Sequence, residues 1–75
     1  MNIKQRFGDK VKSFRLEKGW SQEKLALEAG IDRTYLPGIE KGERNVSITV
    51  VEKLAIALGI EIKDFFEERV KIENE

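Results

Sequence analysis

The sequence predicts an all-α fold of five helices. Apolar residues recur at intervals of three and four, the spacing of one helix face, and Phe7, Val11 and Phe14 form the first such set. Residues that favour the N-cap precede three of these runs: Ser21, Asp32 and Ser47. Glycines, which accept the left-handed conformation common just past a helix end, follow three runs: Gly19, Gly30 and Gly59.

The outer helices supply most of the predicted core. A first helix is predicted from about Ile3 to Lys18, and Trp20 is expected to pack between it and the second helix. The predicted inner face of the fourth helix is Ile48, Val51, Leu54, Ala55 and Leu58. A last helix is predicted from about Ile62, and one of its two phenylalanines is expected to close the core while the other points elsewhere.

The stretch 22–40 has the pattern of two short helices that meet at a tight turn. Apolar positions of the first are Leu25, Ala26 and Ala29. Gly30 breaks this run, and Leu36 and Ile39 resume it in a new phase. The spacing predicts a helix-turn-helix, around which the rest of the chain is arranged.

At these residues the sequence resembles a known family. The segment is similar to the helix-turn-helix of lambda-repressor, Cro and xenobiotic-response-element (XRE) proteins. The run D-R-T-Y-L-P-G-I-E-K-G-E-R-N at 32–45 is similar to controller proteins of restriction-modification systems. The resemblance extends from about Phe7 to Phe66 and implies a lambda-repressor-like DNA-binding domain. It also implies a structural ion pair between Arg15 on the first helix and Glu40.

The first turn of the third helix is the predicted base-reading element. Asp32 caps it and leaves Arg33, Thr34 and Tyr35 where the side chains of a recognition helix reach the major groove. Arg33 is the first choice for base contact, because arginine can donate two parallel hydrogen bonds to guanine O6 and N7. Thr34 is assigned a base or phosphate contact. Tyr35 is assigned a phosphate contact, with half-buried packing as the alternative.

Further DNA contacts follow from the resemblance. The amide of Gln22 is expected against a phosphate, and an ordinary solvated glutamine is the alternative. Arg44 and Asn45 are expected beside the DNA backbone or in the minor groove, with Lys41 nearby.

Pro37 departs from what a recognition helix requires. With Asp32 as N-cap, the amide of residue 37 would bond to the Arg33 carbonyl, and proline lacks that amide; in a helix interior this costs about 3 kcal/mol. We therefore expect a kinked or tightened helix with Pro37 exposed near the groove, and a plain L-P-G turn is the alternative. On this hypothesis Pro37→Ser raises stability.

Length and composition predict a dimer and exclude several classes of function. A single 75-residue domain has a marginal core, so association of two chains is expected, through a C-terminal patch of Ile60, Phe66 and Val70. The absence of cysteine and histidine removes disulfides and the commonest metal ligands, and no phosphate-binding or dinucleotide motif is present. We expect no enzyme activity, cofactor or metal. With no apolar run near about 18 residues and no signal core, we expect a soluble, cytoplasmic protein without a membrane partner.

Charge and motif together favour binding to double-stranded DNA. The net charge is zero, but ten basic residues exceed seven acidic ones up to Arg44, and the balance reverses beyond it. The sequence predicts a homodimeric transcription regulator on a two-fold operator, with a restriction-modification controller role and RNA polymerase as a further partner left open. The alternatives are a phage-type repressor, an antitoxin, or a protein-interaction module that has the fold without DNA binding.

Overall fold

The computed structural model describes residues 2–67, and this part of the chain contains four α-helices and two 3-10 helices. In chain order they are α1 (Ile3–Glu17), α2 (Gln22–Ala29), a 3-10 turn (Arg33–Tyr35), α3 (Leu36–Glu40), α4 (Ile48–Leu58) and a second 3-10 turn (Ile62–Phe65). The predicted all-α class is confirmed, with α2 and α3 as the helix-turn-helix.

The helices begin where the sequence supplies side-chain caps. Ser21 and Ser47 each accept a hydrogen bond from the amide three residues further on, at 3.0 and 3.2 Å. Asp32 accepts one from the Thr34 amide at 2.9 Å. All three predicted caps are confirmed, and Asn2, which the sequence analysis did not name, starts α1 with a capping box.

All four helices contribute to the core, and the second 3-10 turn adds Phe65, which packs against α1 and α4. This side chain is fully buried, and its ring centroid lies 4.8 Å from that of Phe7 and 6.1 Å from that of Phe14, both edge to face. The buried apolar residues are Phe7, Val11, Leu25, Ala26, Ala29, Leu36, Ile39, Val51, Leu54, Ala55, Leu58 and Phe65.

Helices α1 and α3 cross closely at Gly8. A Cβ atom on Gly8 would lie 2.2 Å from the carbonyl oxygen of Ile39, which is shorter than any real contact. Glycine is therefore required here by the approach of α3 and not by backbone conformation. This crossing fixes α3 against the longest helix of the fold.

One sequence expectation about the C-terminal half is wrong. Ile48 belongs to the predicted inner face of α4 but is 83% exposed, because it lies in the first turn of the helix, which no other helix within residues 2–67 covers. The predicted fifth helix starts at Ile62 as expected and is a 3-10 helix over Ile62–Phe65; Val70 lies outside the described residues. Arg6 Nη2 donates to the Phe66 carbonyl at 3.0 Å and so ties this end of the chain to α1.

The tightened first turn that Pro37 predicts is present. Tyr35 donates its amide to the Asp32 carbonyl, and Leu36 donates to that of Arg33, the pattern of a 3-10 helix. Pro37 consequently falls in the first turn of α3, where amides have no partner within the helix. The interior-proline cost of about 3 kcal/mol does not apply here. The expected gain in stability for Pro37→Ser thus loses its physical basis.

Candidate functional site

Residues 32–35 form a surface, called here the recognition turn, with four exposed side chains: Asp32, Arg33, Thr34 and Tyr35. The Asp32 carboxylate accepts hydrogen bonds from the Thr34 amide at 2.9 Å and from its hydroxyl at 2.8 Å. The amide bond first, and then the hydroxyl bond, lower the pKa of Asp32 below its ordinary value of 3.8. Asp32 therefore stays charged at neutral pH and holds Thr34 in place.

Arg33 forms an ion pair with Glu23 of α2. Its Nη1 lies 2.5 Å from Glu23 Oε2, and the two side chains are 69% and 68% exposed. Ion pairs this exposed contribute about 0–1 kcal/mol to stability. The contact therefore orients the Arg33 side chain but is weak enough to be exchanged for a stronger acceptor. Sequence reasoning missed Glu23, because α2 and the recognition turn become neighbours only through the tight turn at Gly30.

The loop after α3 returns to the recognition turn through Arg44. The Arg44 guanidinium carbon lies 4.8 Å from the centroid of the Tyr35 ring, within range of a cation–π contact. Asn45 joins these two residues in lining an open cleft of about 240 Å³. Tyr35 is 42% exposed, which is compatible with both of its predicted roles, a phosphate contact and half-buried packing. Lys41, at the C-cap of α3, is exposed.

A buried ion pair supports this surface from below. Arg15 Nε and Nη2 donate to the two carboxylate oxygens of Glu40 at 2.7 and 3.0 Å, and Arg15 Nη1 donates to the Trp20 carbonyl at 2.7 Å. Two parallel bonds of this kind fix both distance and orientation. The pair implied by the family resemblance is therefore present, and it joins α1 to the end of α3.

Gln22 is attached to the same pair. Its Nε2 donates to Glu40 Oε1 at 3.0 Å, and the side chain is half-buried. It is thus not the freely solvated glutamine of the alternative interpretation. One of its two amide hydrogens is engaged by Glu40, which leaves the second for another acceptor at the start of α2.

Comparison with known proteins identifies the family. The helix-turn-helix family model matches residues 11–65. The chain belongs to the helix-turn-helix family. Control protein C.BamHI of Bacillus amyloliquefaciens is 49% identical over 67 residues, which are 88% of this chain and 83% of that protein.

Solved structures of helix-turn-helix controller proteins share the fold. The restriction-modification controller protein C.AhdI from Aeromonas hydrophila is 46% identical, with a TM-score of 0.81 over 84% of this chain and 96% of that one. The controller protein C.Esp1396I, solved as a tetramer in complex with its natural 35 base-pair operator, is 36% identical, with a TM-score of 0.79 over 88% of this chain and 87% of that one. The predicted similarity to the XRE type and to controller proteins is confirmed.

The helix-turn-helix domain also exposes apolar side chains in its C-terminal half. Ile48 and Ile56 lie eight residues apart on α4 and are 83% and 72% exposed, and the exposed Glu52 lies between them in the chain. Ile62, 42% exposed, lines a shallow cleft with Ile48, Thr49 and Glu52. The predicted interface residues Ile60 and Phe66 are only half-buried, and Phe66 stacks on Phe7 with centroids 5.9 Å apart.

Within residues 2–67 no group of three or more histidine, cysteine, aspartate or glutamate residues could hold a metal ion. None of the helices there is long and apolar enough to cross a membrane.

Proposed function

We propose that this chain is a sequence-specific transcription regulator that inserts its recognition turn into the major groove of double-stranded DNA. The observation that supports this most strongly is the contrast between the two sides of the turn. Leu36 and Ile39 are buried immediately behind it, whereas Arg33 and Thr34 face solvent in front. A polar turn on a rigid base can be held against base edges without further folding.

In this proposal the exposed residues divide into base readers and backbone contacts. Arg33 leaves Glu23 and donates two hydrogen bonds to guanine, and Thr34 contacts a neighbouring base or phosphate. Contacts with the DNA backbone or the minor groove are made by three residues that line one cleft: Tyr35, Arg44 and Asn45. Gln22 and Lys41 are assigned further contacts with the DNA backbone, and Pro37, which is exposed, is expected near the groove.

The active form in this proposal is a homodimer. A two-fold dimer uses the same surface on both chains, and we assign that surface to the exposed side chains of Ile48, Ile56 and Ile62. Phe66 borders it, since both Phe66 and Ile48 line one cleft of about 250 Å³. The recognition turns of the two chains would then meet successive major grooves roughly 34 Å apart.

The biological role we propose is that of a restriction-modification controller, which regulates its own promoter region and the timing of endonuclease expression. This rests on the 49% identity to control protein C.BamHI, which extends over most of both chains. RNA polymerase is a second partner in this proposal, because a controller that activates as well as represses must act on transcription itself.

The proposal is tested by binding measured as a function of salt. Arg33→Ala should lose about 1–3 kcal/mol on selected DNA and little on random duplex, because base contacts specify sequence. Arg44→Ala should weaken binding to both and lower the slope of log K against log salt by about one. Equal losses on both duplexes for Arg33→Ala would remove it as a base reader.

The dimer is tested by sedimentation with a matched pair of variants. Ile56→Glu places a charge in the proposed interface and should give a folded monomer with weak operator binding. Leu16→Glu, at a position 57% exposed on α1, is the control and should remain a dimer. Wild-type protein that is monomeric at high micromolar concentration would contradict the interface.

A further inference from the structure

The third helix contains a glycine whose conformation does not require glycine. Gly19, Gly30, Gly42 and Gly59 all have positive φ, but Gly38 does not. A helical glycine lowers stability relative to alanine, so a local reason for it must lie in the space around it.

That space is occupied by Arg44. A Cβ atom on Gly38 would lie 3.0 Å from Arg44 Cγ, 3.4 Å from Nε and 3.7 Å from Cδ, and these are the three nearest atoms apart from the adjacent residues and the backbone of the helix itself. The stem of the arginine therefore crosses α3 directly over Gly38. Its guanidinium then reaches the Tyr35 ring, 4.8 Å from the centroid.

We propose that Gly38 is a positioning residue for DNA binding: its missing side chain lets Arg44 lie across α3 and stack on Tyr35. This inference rests on the proposed function. A guanidinium over a ring interacts through its charge and keeps its N–H groups for another acceptor such as phosphate. The loop arginine is thereby tied to the recognition turn before DNA arrives, and less side-chain freedom is lost on binding.

The variant Gly38→Ala, which adds a Cβ atom at position 38, distinguishes a role in DNA binding from a role in the stability of the fold. The contact at 3.0 Å is with a flexible side chain, so in Gly38→Ala the arginine moves and the helix does not. The variant should therefore fold with an equal or higher Tm, because alanine favours helix. Its affinity for the duplex that wild-type protein selects from random DNA should fall about threefold to tenfold, the usual cost of ordering one long side chain.

The pose is measured without DNA by NMR. Arg44 side-chain protons over the Tyr35 ring should be shifted upfield in wild type and in Tyr35→Phe, which retains an aromatic ring. Gly38→Ala should reduce the shift and Tyr35→Leu should abolish it. Arg44 shifts unchanged in Gly38→Ala would overturn the proposal.

A double-mutant cycle tests the link to binding. In an Arg44→Ala background, Gly38→Ala should cause no further loss of affinity, because the side chain it displaces is gone. An equal loss in both backgrounds would show that Gly38 acts by another route. If wild-type protein selected no duplex from random DNA, the proposed function itself would be contradicted. Because that selection comes before any variant is compared, the two failures can be distinguished.

Discussion

Removal of the Glu40 carboxylate should destabilise the fold more than any single substitution in the recognition turn. Glu40 accepts three hydrogen bonds, two from Arg15 and one from Gln22, and its side chain is 4% exposed. In Glu40→Ala the Arg15 guanidinium remains buried and keeps only its bond to the Trp20 carbonyl. A buried charge that loses its partner is the costly case for ion pairs.

The expected loss is about 3–5 kcal/mol. A domain of this size has a total stability of roughly 4–11 kcal/mol, so the loss would remove between about a quarter and all of that stability. Where a melting transition persists, Tm should fall by at least about 12 °C. The double variant Arg15→Met with Glu40→Leu should recover most of the loss, because it removes both charges and refills the volume.

Urea unfolding followed by the fluorescence of Trp20, the single tryptophan, measures these differences. Protein concentration must be held fixed, since dimerisation would add to stability. Glu28→Ala is the control: its pair with Lys24 is 3.1 Å long but about half exposed, and it should cost only about 0.3–0.5 kcal/mol. A loss below about 1 kcal/mol for Glu40→Ala would refute the reasoning.

Three further predictions concern the turns around α3. Pro37→Ser should change stability by less than about 1 kcal/mol in thermal melts, since proline occupies a first-turn position; a gain of several kcal/mol would restore the interior-proline interpretation. The lowered pKa of Asp32 gives a stabilisation that is complete above pH 3.8 and is lost as the pH falls through the folded-state pKa. In thermal melts the Tm of wild type should therefore be higher than that of Asp32→Asn at neutral pH, and the difference should shrink in acid. Ser47→Ala should cost about 1 kcal/mol by urea unfolding, and no cost would remove its role as N-cap of α4.

Local signals in the sequence predicted much of the fold. The bounds of α1, the three caps and the buried positions Leu36 and Ile39 follow from side-chain type and helical spacing, which act over a few residues. The tightened turn at Pro37 follows from the missing amide alone. These features do not depend on what packs against them.

Features set by contact between distant segments were missed. Ile48 has the spacing of an inner position, but periodicity does not say whether another element covers that end of α4. Gly8 is required by the carbonyls of α3, and Gly38 leaves space for the stem of Arg44. The partner of Arg33, Glu23, is ten residues away in the chain. Each depends on the positions of two elements that one stretch of sequence does not specify.

The central claim, that two copies of the recognition turn read a two-fold operator, is tested most directly by selecting duplexes from random DNA with the wild-type protein. We expect enrichment of a two-fold sequence whose half-site centres lie about one helical turn, roughly 34 Å, apart, and two chains on each selected duplex. The same selection with Arg33→Ala should lose preference at one base position in each half-site. No enrichment with wild type, or an asymmetric sequence bound by a single chain, would contradict the account.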